Sequence, residues 1–157
     1  MPASDSAPRD TDGEPPSPDR LRMDAAALDA FIMAAFPGVP PAQLPRTLIA
    51  SPGHVRMQKH PDATNLRPGN IVSGPTLMAL ADHAAYALVL AHIGPVAMAV
   101  TSSLNFHFLR ACPPMPIIAD ARLLRLGRRL VVCDVRIWAE AEDRPVGQAT
   151  VDYALPA

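Results

Sequence analysis

The feature that most constrains the fold of this chain is a helical pattern with no polar face. From Pro75 to about His92 the residues are mostly Leu, Ala, Met and Val, which cannot all lie on one stripe of a helix. Pro75 suits a first helical turn, and Gly94-Pro95 ends the pattern. Because a helix that is apolar on all sides must be covered on most of them, the pattern predicts a central buried helix.

The segments after this helix alternate in the manner of antiparallel strands. Four strands are predicted, at Val96–Phe108, Ile117–Leu126, Arg129–Glu140 and Arg144–Leu155. Gly127 marks a tight turn between the second and the third, and the short connections predict a meander. In the first strand, strict alternation places Thr101 on the face opposite Met98, Leu104 and Phe106.

Before the central helix, the chain is predicted to contain a covering helix, a strand and a loop. Asp24–Phe36 has helical periodicity and an aspartate cap, and Thr47–Lys59 is expected to be a strand that is split at its Pro-Gly pair. His60–Gly74 is expected to be a loop. Residues 1–20 are rich in Pro, Asp and Ser, which predicts a disordered tail before one domain at 21–157.

This order of elements predicts an α+β fold in which a curved antiparallel sheet wraps around one apolar helix. Such a sheet leaves open edges and a face that a second copy of the chain can cover. A homo-oligomer is therefore expected.

Composition narrows the classes of function. The formal net charge of −1 gives no electrostatic reason to expect nucleic acid or an anionic membrane as a partner. Asp82, His83 and His92 interrupt the longest apolar stretch, so no membrane span is expected. The N-terminus has acidic residues and lacks the apolar core of a signal peptide, which predicts a cytoplasmic location. The cysteines and histidines lack metal-ligand spacing, so no metal is expected.

Two polar features of the central helix could carry chemistry. Asp82 lies near the middle of the apolar segment, where an unpaired carboxylate is costly, so either a catalytic role or a structural contact at an interface is expected. Ser73-Gly74-Pro75 at the helix start combines free backbone N–H groups with the positive end of the helix dipole. Such a site can stabilise a carbonyl oxygen that becomes an oxyanion, or Ser73 can be an ordinary N-cap.

Five segments, taken in order, resemble the PaaI-like hot-dog thioesterases. They are Arg67–Pro75, Leu80-Ala81-Asp82, Ala99-Val100-Thr101, Phe108-Leu109-Arg110 and Arg125–Arg128. The resemblance covers roughly residues 51–155 and implies the hot-dog fold, a curved antiparallel sheet around a central helix. It also implies hydrolysis of acyl-CoA or acyl-carrier-protein thioesters by a homodimer or homotetramer that needs no cofactor.

The resemblance implies roles for individual residues. Gly74 matches the glycine whose amide polarises the thioester carbonyl, and Ser73 stands beside it in the implied catalytic set. Asp82 matches an acid that acts as nucleophile or as general base across a dimer interface. Thr101 matches a hydroxyl residue that orients the acid or the water, and Arg128 matches part of a turn that lies near coenzyme A in some members.

Two positions depart from the family pattern. The family's histidine before the glycine is Ser73 here, and its asparagine falls on Arg67. Asn65 or Asn70 can replace that asparagine only if the loop path shifts. Asn65, Arg67 and Arg128 are the expected substrate-binding residues.

Two other functions stay open on the sequence. One is an acyl-CoA-binding protein without turnover, which the missing family histidine favours and the retained Asp82 opposes. The other is an enoyl-CoA hydratase or dehydratase, which needs a histidine and an acid in one site. Only His60 could supply that histidine, because His83 is expected to be a core or interface residue.

Overall fold

A 20-residue helix runs through the centre of the protein. The computed structural model describes residues 13–157, so residues 1–12 of the predicted disordered tail lie outside the described residues. The central helix, α2, spans Gly74–Ile93 and is capped by Ser73 at its start. It ends at Gly94, whose positive φ of 92° is a conformation that favours glycine.

A six-stranded antiparallel sheet wraps around α2. Its strands are β1 (Arg46–Ser51), β2 (His54–Lys59), β5 (Val100–Phe108), β6 (Ile117–Leu126), β7 (Leu130–Trp138) and β8 (Gly147–Ala154). The order across the sheet is β1-β2-β6-β7-β8-β5. The predicted split strand is therefore the β1–β2 hairpin. The loop predicted at residues 60–74 contains a second, short hairpin of β3 (Leu66–Arg67) and β4 (Ile71–Val72).

The predicted meander is correct for β6, β7 and β8 and wrong for β5. β5 pairs with β8 and forms an edge of the sheet, so the chain crosses from β5 to β6 past two strands. Residues 109–116 make this connection. Three strand spacings amount to about 14 Å, which a linker of this length spans easily. Local sequence therefore could not distinguish this crossing from a hairpin loop.

The predicted face of Thr101 is also wrong, because a β-bulge interrupts β5 between Thr101 and Ser103. Thr101 pairs with Tyr153, and Leu104 pairs with Val151, and both of these partners are buried on the inner face of β8. The extra residue shifts the alternation by one position. Thr101 therefore lies on the inner face, as Leu104 does, and not on the opposite one.

The first helix, α1 (Ala25–Ala35), covers β1 and touches α2. The side chain of Asp24 accepts a hydrogen bond from the amide of Ala27 at 2.9 Å, so the predicted cap is present. Leu28 and Ile32 are the buried residues of this helix. With α1 outside and α2 enclosed, the structure confirms the predicted α+β hot-dog fold.

The apolar residues of α2 are mostly buried inside the domain. Among the described residues, α2 is long and apolar enough to cross a membrane by length and composition alone. In the folded protein 72% of its most apolar stretch is buried inside the domain. Its packing against β2, β6, β7 and β8 is that of a core helix.

Candidate active site

The side chain of Asp82 is held by two hydroxyl groups. Tyr153 donates its hydroxyl to Oδ1 of Asp82 at 2.6 Å, and Thr101 donates to the same oxygen at 2.7 Å. The Tyr153 hydroxyl is also 3.2 Å from the backbone oxygen of Asp82. Within residues 13–157 no donor reaches the second oxygen, Oδ2. One oxygen therefore fixes the carboxylate, and the other is available for a ligand or water.

The sheet positions both donors. The bulge in β5 turns Thr101 inward, and Tyr153 occupies the last inward position of β8, where it is only 3% exposed. Its ring stacks on Tyr86 of α2 with 5.8 Å between centroids. Burial raises the pKa of Tyr153 above its ordinary value, and its hydrogen bond to Asp82 raises it further. The phenol therefore keeps its proton and acts only as a donor to the acid.

Asp82 opens into a cavity of about 260 Å³, which we call the acid cavity. Its wall is mostly apolar, and the polar groups converge at the carboxylate. The lining residues are Phe36, Asp82, His83, Tyr86, Ala97, Ala99, Val100, Thr101 and Tyr153. An apolar pocket with a few convergent polar groups is the usual form of a small-molecule site.

His83 lines the acid cavity next to Asp82 and stacks on Phe36, with 5.4 Å between ring centroids. Its Nδ1 is buried and has no hydrogen-bond partner in the described chain. Burial lowers the pKa of His83, the charge of Asp82 raises it, and the net shift is downward. The ring therefore favours the neutral form, and it also lines a third cavity described below.

Gly74 provides an open backbone amide at the start of α2. Its N–H has no intrahelical partner, and no acceptor among residues 13–157 replaces one. A Cβ at this position would lie 3.3 Å from the ring of Phe108, so a side chain would crowd the approach. Ser73 serves as the N-cap, since its hydroxyl accepts from the amide of Thr76 at 3.4 Å and lies 2.8 Å from the Thr76 hydroxyl.

The predicted substrate-binding residues lie in different places. Arg67 lines a cavity of about 500 Å³ together with Gly74, Phe108 and Arg110, which we call the glycine cavity. The side chain of Asn65 accepts a hydrogen bond from the amide of Asp62, so it caps a short 3₁₀ turn. The side-chain oxygen of Asn65 is therefore engaged within its own loop, and Asn65 does not line the glycine cavity.

Arg128 is exposed in the β6–β7 turn and lines neither cavity. The register nevertheless places this turn near the acid cavity. Leu130 pairs with Ala154, which in turn pairs with Val100 beside Thr101. Arg128 is therefore at the end of the sheet where the Asp82 carboxylate is held.

A third cavity, of about 260 Å³, also has His83 in its lining, and we call it the lysine cavity. It is lined by Gln43, Pro45, Lys59, Asn65, Pro75, Thr76, Ala79, Leu80 and His83. His60, which is exposed and follows Lys59 in the sequence, lines none of these three cavities. His60 therefore does not supply the histidine that an enoyl-CoA hydratase or dehydratase would need beside Asp82.

Sequence reasoning missed three residues of this region: Tyr153, Arg110 and Lys59. Tyr153 was predicted only as part of the strand at Arg144–Leu155, although a buried tyrosine usually needs a partner for its hydroxyl, and that signal could have found it. Arg110 lies in one of the five segments that resemble the family but was given no role, and Lys59 gave no local signal, because only the fold brings these two residues to cavities.

Neither cysteine is a nucleophile candidate. Cys112 and Cys133 are buried free thiols. Burial raises the pKa of Cys112 to about 11 and that of Cys133 to about 12, so the reactive thiolate is disfavoured. In the described part of the chain, no group of three or more His, Cys, Asp or Glu side chains is close enough to hold a metal ion.

A sheet-wrapped central helix, with an acid at a cavity and an open amide at the helix start, is the architecture of a hot-dog protein with a candidate active site. A sequence profile described as the thioesterase superfamily matches residues 69–146. A thioesterase candidate from Silicibacter sp. TM1040 is 35% identical, with a TM-score of 0.81 over 90% of this chain and 97% of that one. The chain belongs to the thioesterase superfamily.

More distant structures share the fold. A variant of the phenylacetic acid degradation protein PaaI from Thermus thermophilus is 22% identical, with a TM-score of 0.63 over 73% of this chain and 96% of that one. A hypothetical thioesterase with coenzyme A from Streptococcus pneumoniae is 20% identical, with a TM-score of 0.68 over 80% and 97%. No curated protein matches the sequence.

Proposed function

We propose that this protein hydrolyses acyl-CoA thioesters with Asp82 as its acid-base or nucleophilic carboxylate. The observation that carries the proposal is the geometry of Asp82, whose Oδ1 is fixed by two hydroxyls while Oδ2 is free at an apolar cavity. A carboxylate that is oriented in this way is suited to activate one water molecule or to attack a carbonyl carbon.

The reaction needs two groups, a base and a donor to the oxyanion. In the general-base route, Oδ2 takes a proton from water, the hydroxide adds to the thioester carbonyl, and the C–S bond breaks. The thiolate leaves and is protonated, which gives a carboxylic acid and free coenzyme A. In the nucleophilic route, Oδ2 adds to the carbonyl itself, and water hydrolyses the resulting anhydride. In both routes the Gly74 amide stabilises the oxyanion.

The two groups belong to different copies of the chain in this proposal. Gly74 and Asp82 are eight residues apart on α2, which is about 12 Å along the axis. One thioester cannot contact both groups at that separation within a single chain. The active site is therefore incomplete in one subunit.

The free edge of β5 supplies a way to complete it. Pairing β5 with its copy around a two-fold axis gives an antiparallel arrangement. The Phe108 end, which contacts Gly74, then approaches the Thr101 end of the partner, which holds Asp82. Val100 and Phe108 are 50% and 55% exposed in the single chain, and this pairing would cover them.

The arginines favour coenzyme A as the carrier of the acyl group. Arg67 and Arg110 line the glycine cavity, and guanidinium groups suit the phosphates of a nucleotide-bearing thiol. Arg128 at the Asp82 end of the sheet is a third candidate. The Streptococcus pneumoniae structure, which is described as being with coenzyme A, supports the same carrier on this fold.

Release of free thiol from a panel of acyl-CoAs tests the proposal. The Asp82→Asn protein should lose about 10²–10⁴-fold in kcat/KM, the range that a positioned acid or base contributes. Asp143→Asn is the matched control, because Asp143 is exposed in a turn and lies outside the three cavities. Full activity of the Asp82→Asn protein would show that this carboxylate is not catalytic. Tight binding of acyl-CoA by the wild type without thiol release would favour the non-catalytic alternative.

A further inference from the structure

Lys59 is a lysine in an apolar position. It follows Val55 and Met57 on the inner face of β2, and both of these residues are 0% exposed. Its cross-strand partner is Ile117, also 0% exposed, and Lys59 itself is only 8% exposed. Lysine is rarely buried to this extent unless it is paired.

Lys59 is also the only lysine in the chain, since the other thirteen of the 14 basic residues are arginines. The basic side chains at the surface of this protein are therefore arginines, whereas the ammonium group of its one lysine is buried in the fold. A compact point charge on a flexible stem is well suited to contact a small anion in a confined space.

The ammonium group of Lys59 has few polar partners among residues 13–157. Its Nζ donates to the backbone oxygen of Gln43 at 2.6 Å. Among the described residues no carboxylate lies within 4.0 Å of it. Burial lowers the pKa of Lys59, and the charge of Asp62 partly opposes this shift. Two of its three N–H bonds remain available to a ligand.

The lysine cavity borders both groups of the proposed reacting centre. It shares the lining residue His83 with the acid cavity, and it is also lined by Pro75 and Thr76, which follow Gly74 at the start of α2. Ala79 and Leu80 give the lysine cavity an apolar wall, while Lys59 and Asn65 are polar. Its volume of about 260 Å³ is below the roughly 300–1,000 Å³ of a whole ligand site, so it suits part of a substrate, such as a short acyl group.

We propose that the lysine cavity receives the acyl group of the substrate, and that Lys59 binds a carboxylate at the far end of that group. The preferred substrates are then ω-carboxyacyl thioesters, which are derived from dicarboxylic acids. This inference rests on the proposed thioesterase function and specifies its substrate class. Lys59 is a specificity residue that touches the substrate away from the reacting carbonyl.

The charge balance explains the preference. A carboxylate would accept charge-assisted hydrogen bonds from the free N–H groups of Lys59 and would stabilise the ammonium form. A neutral alkyl group of the same length would desolvate the ammonium further without pairing it, which is unfavourable. Discrimination therefore arises both from attraction to the correct acyl group and from a penalty on the neutral one.

The test compares pairs of equal chain length, with adipoyl-CoA against hexanoyl-CoA as the main pair. We expect wild-type kcat/KM to favour adipoyl-CoA by about tenfold or more, as one charge-assisted pair allows. Lys59→Met should reduce this ratio to near one, because the adipoyl-CoA rate falls much more than the hexanoyl-CoA rate. Lys59→Gln, which can still donate to the backbone of Gln43, should reduce the ratio in the same way and serves as the test variant if Lys59→Met does not fold. Arg136→Met, which removes an exposed charge on the outer face, should leave the ratio unchanged.

A binding measurement separates this inference from the proposed hydrolysis. With isotopically labelled lysine, the Asp82→Asn protein has a single lysine side-chain NMR signal, and adipoyl-CoA should shift it more strongly than hexanoyl-CoA. Thiol release from both substrates at equal efficiency, with equal shifts, would overturn the inference and leave the hydrolase standing. A selective shift without thiol release in the wild type would refute the hydrolase and support the carboxylate site.

Discussion

The hydroxyl of Tyr153 is predicted to position the catalytic carboxylate, and Tyr153→Phe isolates that single group. The substitution keeps the ring, and with it the 5.8 Å stacking on Tyr86, but removes the donor at 2.6 Å from Oδ1 of Asp82. Thr101 then remains the only side-chain donor to that oxygen within the described residues. The carboxylate can rotate more freely, so Oδ2 points into the acid cavity for a smaller fraction of the time.

The size of the effect follows from the hydrogen bond that is lost. A hydrogen bond to a charged group contributes roughly 1.5–3 kcal/mol, and about 1.4 kcal/mol corresponds to a factor of ten. The productive orientation of Asp82 should therefore become about ten- to hundredfold less populated. We expect kcat to fall by that factor with little change in KM, because the tyrosine orients the base and does not bind the acyl carrier.

Tyr86→Phe is a closely matched control. It makes the same chemical change in the stacked partner ring, which lines the same cavity, but the hydroxyl of Tyr86 donates to the backbone oxygen of Ala97 at 3.2 Å. The thiol-release assay should show little loss for this variant, because the Tyr86 hydroxyl does not contact Asp82, and the lost neutral hydrogen bond of roughly 0.5–1.5 kcal/mol affects stability instead. Equal losses in the two variants, or wild-type kcat in Tyr153→Phe, would refute the positioning role.

Two further predictions concern stability. Gly127→Ala should lower the free energy of unfolding by about 1–3 kcal/mol in a denaturant titration, because the new Cβ would lie 2.8 Å from the backbone oxygen of Leu130. Gly38→Ala is the control, since its new Cβ would meet nothing within 4 Å and the substitution should have little effect. Burial raises the pKa of Asp120, but hydrogen bonds from one histidine and two arginines outweigh it and hold that pKa below its ordinary value. The stability that this carboxylate contributes is present above the unfolded pKa of about 4 and is lost as the pH falls through the folded pKa. Asp120→Asn should therefore cost roughly 3 kcal/mol at pH 7 and progressively less as the pH falls below about 4, and a cost that does not change with pH would contradict this assignment.

Short-range sequence patterns were sufficient to predict the main helices and strands. The all-round apolar character of residues 75–92 required a buried helix, and the alternation of residues 147–154 required a strand with one buried face. Gly94 and Asp24 act as the predicted helix boundaries. These features depend on neighbours within a few positions, and a linear sequence displays such neighbours directly.

Within the candidate site, the sequence predicted pairs of residues on the same helix or strand accurately. It was incomplete for pairs of residues that lie on two different elements. Gly74 and Asp82 were placed correctly on one helix, but their separation of about 12 Å became clear only from the helix as a rigid element. The contact between Asp82 and Thr101 was implied by a family resemblance, although the alternation pattern had assigned Thr101 to the other face. Asn65 proved to be a capping residue, because Asp62 engages its side chain.

The sequence by itself determined that an apolar helix with one acidic residue had to be enclosed by an antiparallel sheet. Burial of apolar surface, together with the 3.6-residue period of helices and the two-residue period of strands, leaves few alternative folds. Tertiary structure alone decided that β5 lies beside β8, that a bulge turns Thr101 inward, and that Lys59 faces a cavity. Each of these outcomes depends on contacts between residues far apart in the chain. Their free energies depend on which strands meet and in what register, and no local pattern encodes that choice.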